Sequence, residues 1–459
     1  MKKAILFIFL LFINTVNAQC YTKVISAEST IIALKADGTL WARGQNGAGT
    51  VGNGTTTPVS SFIQIGTDNN WTENIDMNLS NAIAIKSDGT LWKWGGGVNI
   101  PTQIGTDSDW VKAVTASNSY LAIKSNGTLW SWGSNAGGRL GTGNLDTNYT
   151  ESAPTQVGTE TNWMKVYATA SGRSVAIKND GTLWSWGASG SYLGYPNANL
   201  NNAFFSPHQI GTDSNWVTIS TGQNGITIGI KSNGSLWAWG TTSNSYQFGN
   251  GITSYTSITP IQIGTDTNWK EVSVSASCVI ALKTNGTRWG WGKNDLYDLG
   301  MVPFSNSDVS VPTQCDTDSD WKQIFVDKSF GRCDAIKQDG SLYHWGAIFP
   351  PASIYPSPTL FGAACVLAVA DFEDNSRIVV FPNPVNNITT VHLSENNQKE
   401  ASITITNSLG QVVFENQKAR SDNGKDFYLD MTNLQSGLYF INLKSNAKSY
   451  RSKIIKNKM

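Results

Sequence analysis

Short apolar runs alternate with turn residues along most of the chain. The run Leu121–Ile123 is followed by an Asn-Gly pair and then by the run Leu129–Trp132. Asp-Gly or Asn-Gly between two apolar runs is a strong hairpin signal, because a tight two-residue turn requires positive φ. Alternate residues of a strand lie on opposite faces, so Trp130 and Trp132 share one face and Leu129 lies on the other. The pattern predicts short antiparallel strands that are covered on both faces.

This hairpin is the centre of a repeat. Its decapeptide is Lys, any residue, Asp or Asn, Gly, Thr or Ser, Leu, Trp, any residue, Trp and Gly, with substitutions in some copies. The seven copies begin at Lys35, Lys86, Lys124, Lys178, Lys231, Lys283 and Lys337. A second element, typified by Pro-Thr-Gln-Ile-Gly-Thr-Asp-Ser-Asp-Trp at 101–110, recurs between them, and the two elements contain all 18 Trp. Each unit is predicted to form four strands that are buried only by stacking on their neighbours.

Seven such units around an axis form a seven-bladed β-propeller, so we predict an all-β protein. The predicted propeller spans residues 19–362, and a linker at 363–378 separates it from a small antiparallel β-sandwich at 379–459. The second unit is 13 to 16 residues shorter than the others. We expect the missing residues to be loop residues, because ring closure needs only the strands.

The decapeptide resembles the regulator of chromosome condensation repeat family, as does the Leu-Gly stretch after it at 137–141. The resemblance covers residues 20–362, except that the second unit has no Leu-Gly loop. It implies the propeller fold and is much less specific for function. Founding eukaryotic members are nucleotide-exchange factors for a small nuclear GTPase, and other members are secreted bacterial proteins that bind or inhibit proteins.

The amino end is typical of a secretory signal peptide, which we place at residues 1–18. A positive start precedes the apolar run Ala4–Ile13, and Ala18 offers a cleavage point. The run is too short to span a bilayer, and no other segment is apolar enough to do so. Lipidation of Cys20 is the alternative to cleavage after Ala18.

Residues 379–459 resemble the C-terminal sorting domain of type IX secretion cargo, type A. The residues that carry the resemblance are Pro382, Asn383, Pro384, Gly410, Gly437, Tyr439, Lys453 and Lys456. The resemblance implies folding in the periplasm, passage through the outer-membrane translocon and removal of this domain. The mature protein would then be secreted or displayed at the cell surface. A basic tail that only aids solubility is the alternative.

The composition excludes several functions. The chain has 33 basic and 33 acidic residues, and this balance argues against nucleic-acid binding. Its three His, His208, His344 and His392, lack metal-ligand spacing. No nucleophile elbow or phosphate loop is present. We therefore expect no metal, no cofactor and no catalysis.

Charged residues of the repeat allow two interpretations. The motif lysines should lie on one face of the ring, either as a basic rim for an anionic glycan or as solvated residues beside hairpin turns. The net charge of zero favours the second interpretation. Acid pairs such as Asp107/Asp109 and Asp318/Asp320 resemble calcium loops, but they fall in a recurrent turn, which favours a structural role.

Aromatic residues outside the repeat are better candidates for ligand binding than the regularly spaced Trp, which we assign to the core. These candidates are Tyr192, Tyr195, Phe204, Phe205, Tyr246, Tyr255, Phe304, Phe349 and Tyr355. Aromatic anchors in loops favour binding surfaces, although each could instead cap its own loop. We expect a monomeric binding module for an extracellular protein or glycan. A polysaccharide-active enzyme with a site in the central funnel and a nucleotide-exchange factor are the alternatives.

A disulfide between Cys20 and Cys365 is predicted from the phase of the repeat. Tyr21 takes the position that Trp110 has in its unit, and the strand missing before it is found at Pro358–Gly362. On the continuous repeat the two cysteines then occupy neighbouring positions, within the span of a disulfide. The pairing of the other three cysteines remains open.

Overall fold

The structure is a computed structural model, and its contacts divide the chain into two compact units, Met1–Ala368 and Val369–Met459. The predicted signal peptide and residues 363–377 of the predicted linker lie outside the described residues. The described residues are 20–27, 29–78, 80–169, 172–188, 193–195, 203–222, 225–242, 246–253, 255–327, 332–348, 353–362, 378–381, 385, 387–393, 400–407, 411–421, 425–445 and 448–456.

The first unit contains seven antiparallel sheets of four strands each, which we number as blades 1 to 7. Blades 1 to 3 contain β1 (Tyr21–Ala27), β2 (Thr30–Lys35), β3 (Leu40–Gly44), β4 (Val59–Gln64), β5 (Trp71–Met77), β6 (Asn81–Lys86), β7 (Leu91–Gly95), β8 (Val98–Gln103), β9 (Trp110–Ala116), β10 (Ser119–Lys124), β11 (Leu129–Ser134) and β12 (Thr150–Gln156). A short 3₁₀ turn at Ala136–Gly138 follows β11.

Blades 4 to 7 repeat this arrangement. They contain β13 (Trp163–Ala168), β14 (Arg173–Lys178), β15 (Leu183–Gly187), β16 (Phe204–Ile210), β17 (Trp216–Thr221), β18 (Thr227–Lys231), β19 (Leu236–Thr242), β20 (Tyr255–Gln262), β21 (Trp269–Val274), β22 (Cys278–Lys283), β23 (Arg288–Gly292), β24 (Val309–Gln314), β25 (Trp321–Val326), β26 (Cys333–Lys337), β27 (Leu342–Ile348) and β28 (Ser353–Gly362).

The first strand of each blade lies at the inside of a closed ring. β1, β5, β9, β13, β17, β21 and β25 each contact the first strand of the next blade, and β25 contacts β1. Second strands such as β2, β6 and β10 are buried along their whole length, whereas fourth strands such as β4 and β8 contain only partly buried and exposed residues. This arrangement confirms the predicted seven-bladed β-propeller.

Each Asp-Gly or Asn-Gly pair lies in a three-residue loop, so the predicted two-residue turn is wrong. In blade 1, the Lys35 N–H donates to the Thr39 carbonyl at 3.0 Å, and the Gly38 N–H donates to the Lys35 carbonyl at 3.0 Å. Gly38 has a φ of +79°, as expected for a type I turn followed by a bulge residue. A Cβ on Gly38 would overlap the Asn69 carbonyl, so close packing against the next blade also requires glycine.

The other residues of the decapeptide form a hydrogen-bond chain. Trp41 Nε1 donates to Thr39 Oγ1 at 2.8 Å, and this hydroxyl donates to Asp37 Oδ1 at 2.6 Å. The Thr39 N–H donates to the same carboxylate at 3.0 Å. Blades 2 to 6 repeat the chain, for example at Asp180, Thr182 and Trp184 in blade 4. The repeat pattern therefore encodes hairpin geometry.

The Leu-Gly loop of a blade attaches it to the next blade. In four of the five cases, the second Trp of the decapeptide in the following blade donates its indole N–H to a loop carbonyl at 2.8 to 2.9 Å. The pairs are Trp94 with Thr50, Trp186 with Arg139, Trp291 with Gln247 and Trp345 with Asp298. In the fifth, Trp239 Nε1 has no hydrogen-bond partner among the described residues. The residue before the glycine is fully buried in each loop, and these residues are Val51, Leu140, Leu193, Phe248 and Leu299.

Blades 2 and 7 lack this loop, and their neighbours compensate. The strands β7 and β8 of blade 2 are joined through Gly96 and Gly97, and all four strands remain, as predicted from the short repeat. Trp132 of blade 3 instead stacks on Tyr120, with ring centroids 5.3 Å apart. Blade 1 carries Arg43 where other blades have the second Trp, and its guanidinium lies 4.4 Å from the ring centroid of a blade 7 phenylalanine.

Tyr21 closes the ring in the position predicted from the repeat. Its N–H donates to the Gly340 carbonyl at 3.2 Å. In every other blade, the Trp that begins the first strand donates its backbone N–H in the same way to the hairpin glycine of the preceding blade. Cys20 is disulfide-bonded. Three other cysteines are buried thiols that form no disulfide: Cys278, Cys315 and Cys333. Cys365 lies outside the described residues, so its pairing with Cys20 stays a prediction.

The second unit contains two antiparallel sheets around one apolar core, as predicted for a small sandwich. Its strands are β29 (Ile378–Phe381), β30 (Ile388–Leu393), β31 (Glu400–Asn407), β32 (Val412–Arg420), β33 (Asp426–Asp430), β34 (Gly437–Ser445) and β35 (Lys448–Lys456). Gly437 begins β34, the Tyr439 hydroxyl donates to the Gln435 carbonyl at 2.7 Å, and Lys453 and Lys456 lie on β35. The predicted sorting residues Pro382, Asn383, Pro384 and Gly410 lie outside the described residues.

Candidate ligand-binding surfaces of the propeller

The meander topology of each blade defines two faces of the ring. The turns between second and third strands and the turns between blades lie on one side, which we call the hairpin face. The turns between first and second strands and the Leu-Gly loops lie on the opposite side, which we call the loop face. The two faces differ in chemistry, because the hairpin face is built from repeated residues and the loop face from variable ones.

Six of the seven motif lysines of the hairpin face are buried and Lys337 is partly buried, so their interpretation as solvated residues is wrong. In blade 5, the side chain of Lys231 is 6% exposed and its Nζ lies 2.7 Å from Asp213 Oδ2. The same Nζ lies 3.5 Å from the ring centroid of Trp237 and 4.8 Å from that of Trp216. Equivalent ion pairs occur at Lys86, Lys124, Lys178, Lys283 and Lys337.

The acid pairs that resembled calcium loops are counter-ions of these lysines. Lys124 Nζ lies 2.7 Å from Asp107 and 3.1 Å from Asp109. Burial alone would lower the pKa of Lys124, but its hydrogen bonds to both carboxylates raise the pKa above its ordinary value. The repeated charges of the hairpin face therefore stabilise the fold and do not form a free basic rim.

Most of the described aromatic candidates pack within the loop face. In blade 4, the Phe204 ring lies 5.0 Å from that of Tyr195 and 4.7 Å from that of His208. Burial raises the pKa of Tyr195 well above its ordinary value. Phe205 packs against Gly138 in the loop of blade 3. These side chains build a rigid aromatic support, and sequence reasoning missed the part of His208 in it.

The candidates in blades 5 to 7 differ in exposure. Tyr255 packs on Phe248 at 4.8 Å between ring centroids, and Tyr355 packs on His344 at 4.4 Å. Tyr246 is half-buried, and Phe304 is 70% exposed. The remaining two candidates, Tyr192 and Phe349, lie outside the described residues.

Exposed aliphatic side chains accompany Phe304 in the long loops, and sequence reasoning missed them because it considered only aromatic residues. Leu145 in the blade 3 loop is 73% exposed. Ile252 in the blade 5 loop and Val302 in the blade 6 loop are about half exposed. The described part of the loop face thus presents apolar side chains from three blades to solvent.

A buried polar cluster lies in blade 7. Arg332 Nη2 lies 3.1 Å from Asp334 Oδ1, and the His344 side chain belongs to the same cluster. Burial lowers the pKa of His344 to about 4, which leaves the imidazole neutral at ordinary pH. All three residues are at most 4% exposed, so the cluster is an interior ion pair rather than an open catalytic site. The part of the chain that the structure describes contains no group of three potential metal ligands.

The fold and its repeated hairpins define the chain as a seven-bladed β-propeller followed by a sandwich domain. Residues 126–177 match the family of the regulator of chromosome condensation (RCC1) repeat. Residues 379–457 match the secretion system C-terminal sorting domain. Both predicted resemblances are thereby confirmed. No curated protein sequence matches the chain significantly.

Solved structures support the propeller fold. Prp20p from Saccharomyces cerevisiae is 17% identical with a TM-score of 0.58, over 67% of this chain and 80% of that one. Human WBSCR16 is 16% identical with a TM-score of 0.54, over 67% of this chain and 85% of that one. At these identities the likeness concerns the fold alone.

The sorting domain establishes where the protein is delivered. It directs export by type IX secretion to the cell surface or the medium. No helix among the described residues is long and apolar enough to cross a membrane.

Proposed function

We propose that the propeller is a non-catalytic binding module that holds an extracellular protein or glycan on its loop face. The observation that carries this proposal is the contrast between the two faces. The hairpin face uses its repeated lysines and acids for internal ion pairs, as at Lys231 and Asp213. The loop face exposes large apolar side chains, foremost Phe304 and Leu145.

The packing of the loops supports a role of their exposed side chains in binding a partner. Each Leu-Gly loop is anchored to the next blade by a buried side chain, and four of the five loops also accept an indole hydrogen bond, as at Leu140 and Trp186. The exposed residues therefore project from supported loops, and a partner would lose little free energy in ordering them. Aromatic and aliphatic anchors on such loops are typical of binding surfaces.

The two alternatives have less support. A polysaccharide-active enzyme would need an accessible pair of acids or another reactive constellation, and the acid pairs Asp107/Asp109 and Asp318/Asp320 of the hairpin face are paired with lysines. Prp20p has been studied for binding to Gsp1p and histones, but its identity to this chain is 17%. Export to the cell surface or the medium also separates this chain from nuclear partners.

Binding by the purified mature protein to a glycan array and to culture-medium proteins tests the proposal. We expect the wild type to retain a specific glycan or protein and Phe304→Ser to lose at least about tenfold in affinity, because the exposed anchor is removed. Val311→Ser is the matched control, because Val311 is exposed on the outer strand β24 of the same blade.

Two results would contradict the proposal. The first is an affinity that is equally reduced by the loop variant and the outer-strand variant. The second is the appearance of new reducing ends when the protein is incubated with the retained glycan, which would favour the enzyme alternative.

A further inference from the structure

The central channel is lined by the inner edges of the blades. The first strands have backbone groups that no neighbouring strand of their own blade can pair, as in any edge strand. Side chains of the preceding blade satisfy several of them: Gln323 Oε1 accepts from the Val24 N–H at 3.3 Å, and Asp76 Oδ2 accepts from the Thr115 N–H at 2.9 Å. These polar channel residues therefore have a structural role.

Hydrogen bonds to the neighbouring blade do not fully account for three lysines that lie at one level of the channel. Lys23, Lys112 and Lys165 lie on β1, β9 and β13, each opposite the penultimate residue of the second strand of its blade. Equivalent register positions in a ring of equivalent blades lie at the same height along the channel. Lys165 Nζ donates to the Val217 carbonyl at 2.8 Å in the next blade.

The charges of these side chains also act on one another. Burial lowers the pKa of Lys112, the charges of Lys23 and Lys165 lower it further, and the charge of Asp76 opposes them. Lys23 and Lys112 belong to blades 1 and 3, which are not neighbours in the ring, so they interact across the channel. Glu271 takes the same register position in blade 6, opposite Leu282, so one carboxyl group lies at the level of the lysines. Burial raises its pKa to about 7, and the charge of Lys23 opposes that rise.

The contrast with the motif lysines is informative. Where the repeat buries a lysine, a carboxylate lies beside it, as at Lys86 and Asp68, which are 2.8 Å apart. In the described part of the chain, no carboxylate lies within ion-pair distance of Lys23 or Lys112. Half-buried ammonium groups that repel each other are costly unless a ligand neutralises them.

We propose that the channel binds one oxyanion group, a carboxylate, sulfate or phosphate of a small ligand, between Lys23, Lys112 and Lys165. Each ammonium offers several N–H donors, and a bound anion would replace the mutual repulsion with attraction. This site is separate from the loop face and does not depend on the proposed function. A free inorganic anion and an acidic sugar share the required chemistry, so the experiment must distinguish them.

Calorimetry with the full-length chain without its signal peptide tests the site, with sodium phosphate, sodium sulfate and sodium glucuronate as separate probes against sodium chloride of equal ionic strength. We expect saturable 1:1 binding of at least one probe, and the probe that binds separates an inorganic anion from a sugar acid. Lys112→Met should weaken this binding about tenfold or more, because one charge-assisted contact is lost. The same variant should be more stable than the wild type without a probe, because a buried, repelled charge is removed.

Lys23→Met provides an independent variant with the same expected loss of binding. Lys293→Met is the matched control, because Lys293 lies in the blade 6 loop with its side chain 41% exposed, and it should bind as the wild type does. Generic salt effects on stability would be equal in all four proteins. Failure of all three probes to bind, or wild-type affinity in both channel variants, would overturn the proposal.

Discussion

Removing one motif carboxylate tests whether the repeat depends on buried ion pairs. In Asp213→Asn, the Lys231 ammonium would stay between Trp216 and Trp237 without its carboxylate, while the shape of the turn is retained. The lysine side chain is 6% exposed and the aspartate side chain is 53% exposed. Exposed pairs contribute about 0–1 kcal/mol, whereas breaking a fully buried pair costs about 3–5 kcal/mol. We expect an intermediate loss of about 2 kcal/mol.

Guanidinium unfolding of the full-length chain without its signal peptide measures this loss. All 18 Trp lie before residue 346, so their fluorescence reports the propeller without the sorting domain. The double variant Asp213→Asn/Lys231→Met should be more stable than Asp213→Asn alone, because the uncompensated charge is gone while the stem still packs on the Trp rings.

Asp295→Asn is the control for a solvated pair, because the Asp295 side chain is 63% exposed and lies 3.9 Å from its lysine. Its cost should stay below about 0.5 kcal/mol. A cost for Asp213→Asn that is equally small would refute the reasoning, because Lys231 would then behave as a solvated surface lysine.

Four other predictions concern glycine, charge, covalent structure and export. Gly181→Ala should cost at least about 2 kcal/mol more than Gly211→Ala in the same unfolding assay, because both have positive φ but only the first Cβ would overlap backbone. Burial and, to a smaller extent, the charge of Asp295 raise the pKa of Asp298 to about 7. The protonated carboxyl group therefore makes its full contribution to stability below pH 3.8, and this contribution is lost as the pH rises through 7. Asp298→Asn should therefore gain about 3 kcal/mol relative to the wild type between pH 4 and pH 8, as measured by unfolding at both pH values. Peptide mapping without reductant should recover Cys20 linked to Cys365, and a lipidated Cys20 would contradict this. Deleting the sorting domain should leave a folded propeller in the periplasm, as fractionation and immunoblotting would show.

The sequence was sufficient for the architecture because the repeat is local. The Asp-Gly turn, the alternating apolar residues and the repeat spacing all act within one blade or between adjacent blades. Even the missing loop of blade 2 was evident from the spacing, and the structure places the shortening at Gly96 and Gly97. The turn type was misjudged because the Asp-Gly signal suits two-residue and three-residue loops, and only the Lys35 and Thr39 pairing distinguishes them.

The site was harder to predict because burial depends on contacts that are remote in sequence. Lys231 on β18 lies directly opposite Trp216 on the adjacent strand β17, and this register is not apparent from the decapeptide alone. Likewise Phe205 is covered by the loop of the preceding blade, whereas Phe304 is exposed, although both are loop aromatics in the sequence. Exposure in this fold is decided by the neighbouring blade.

A hydrogen-exchange footprint of the wild-type protein with its recovered ligand tests the central claim most directly. If the loop face binds the ligand, protection should increase in the long loops of blades 3, 5 and 6, including the segment around Phe304, and the hairpin turns should be unchanged. Protection confined to the Asp-Gly and Asn-Gly hairpins, with the long loops unaffected, would contradict the account.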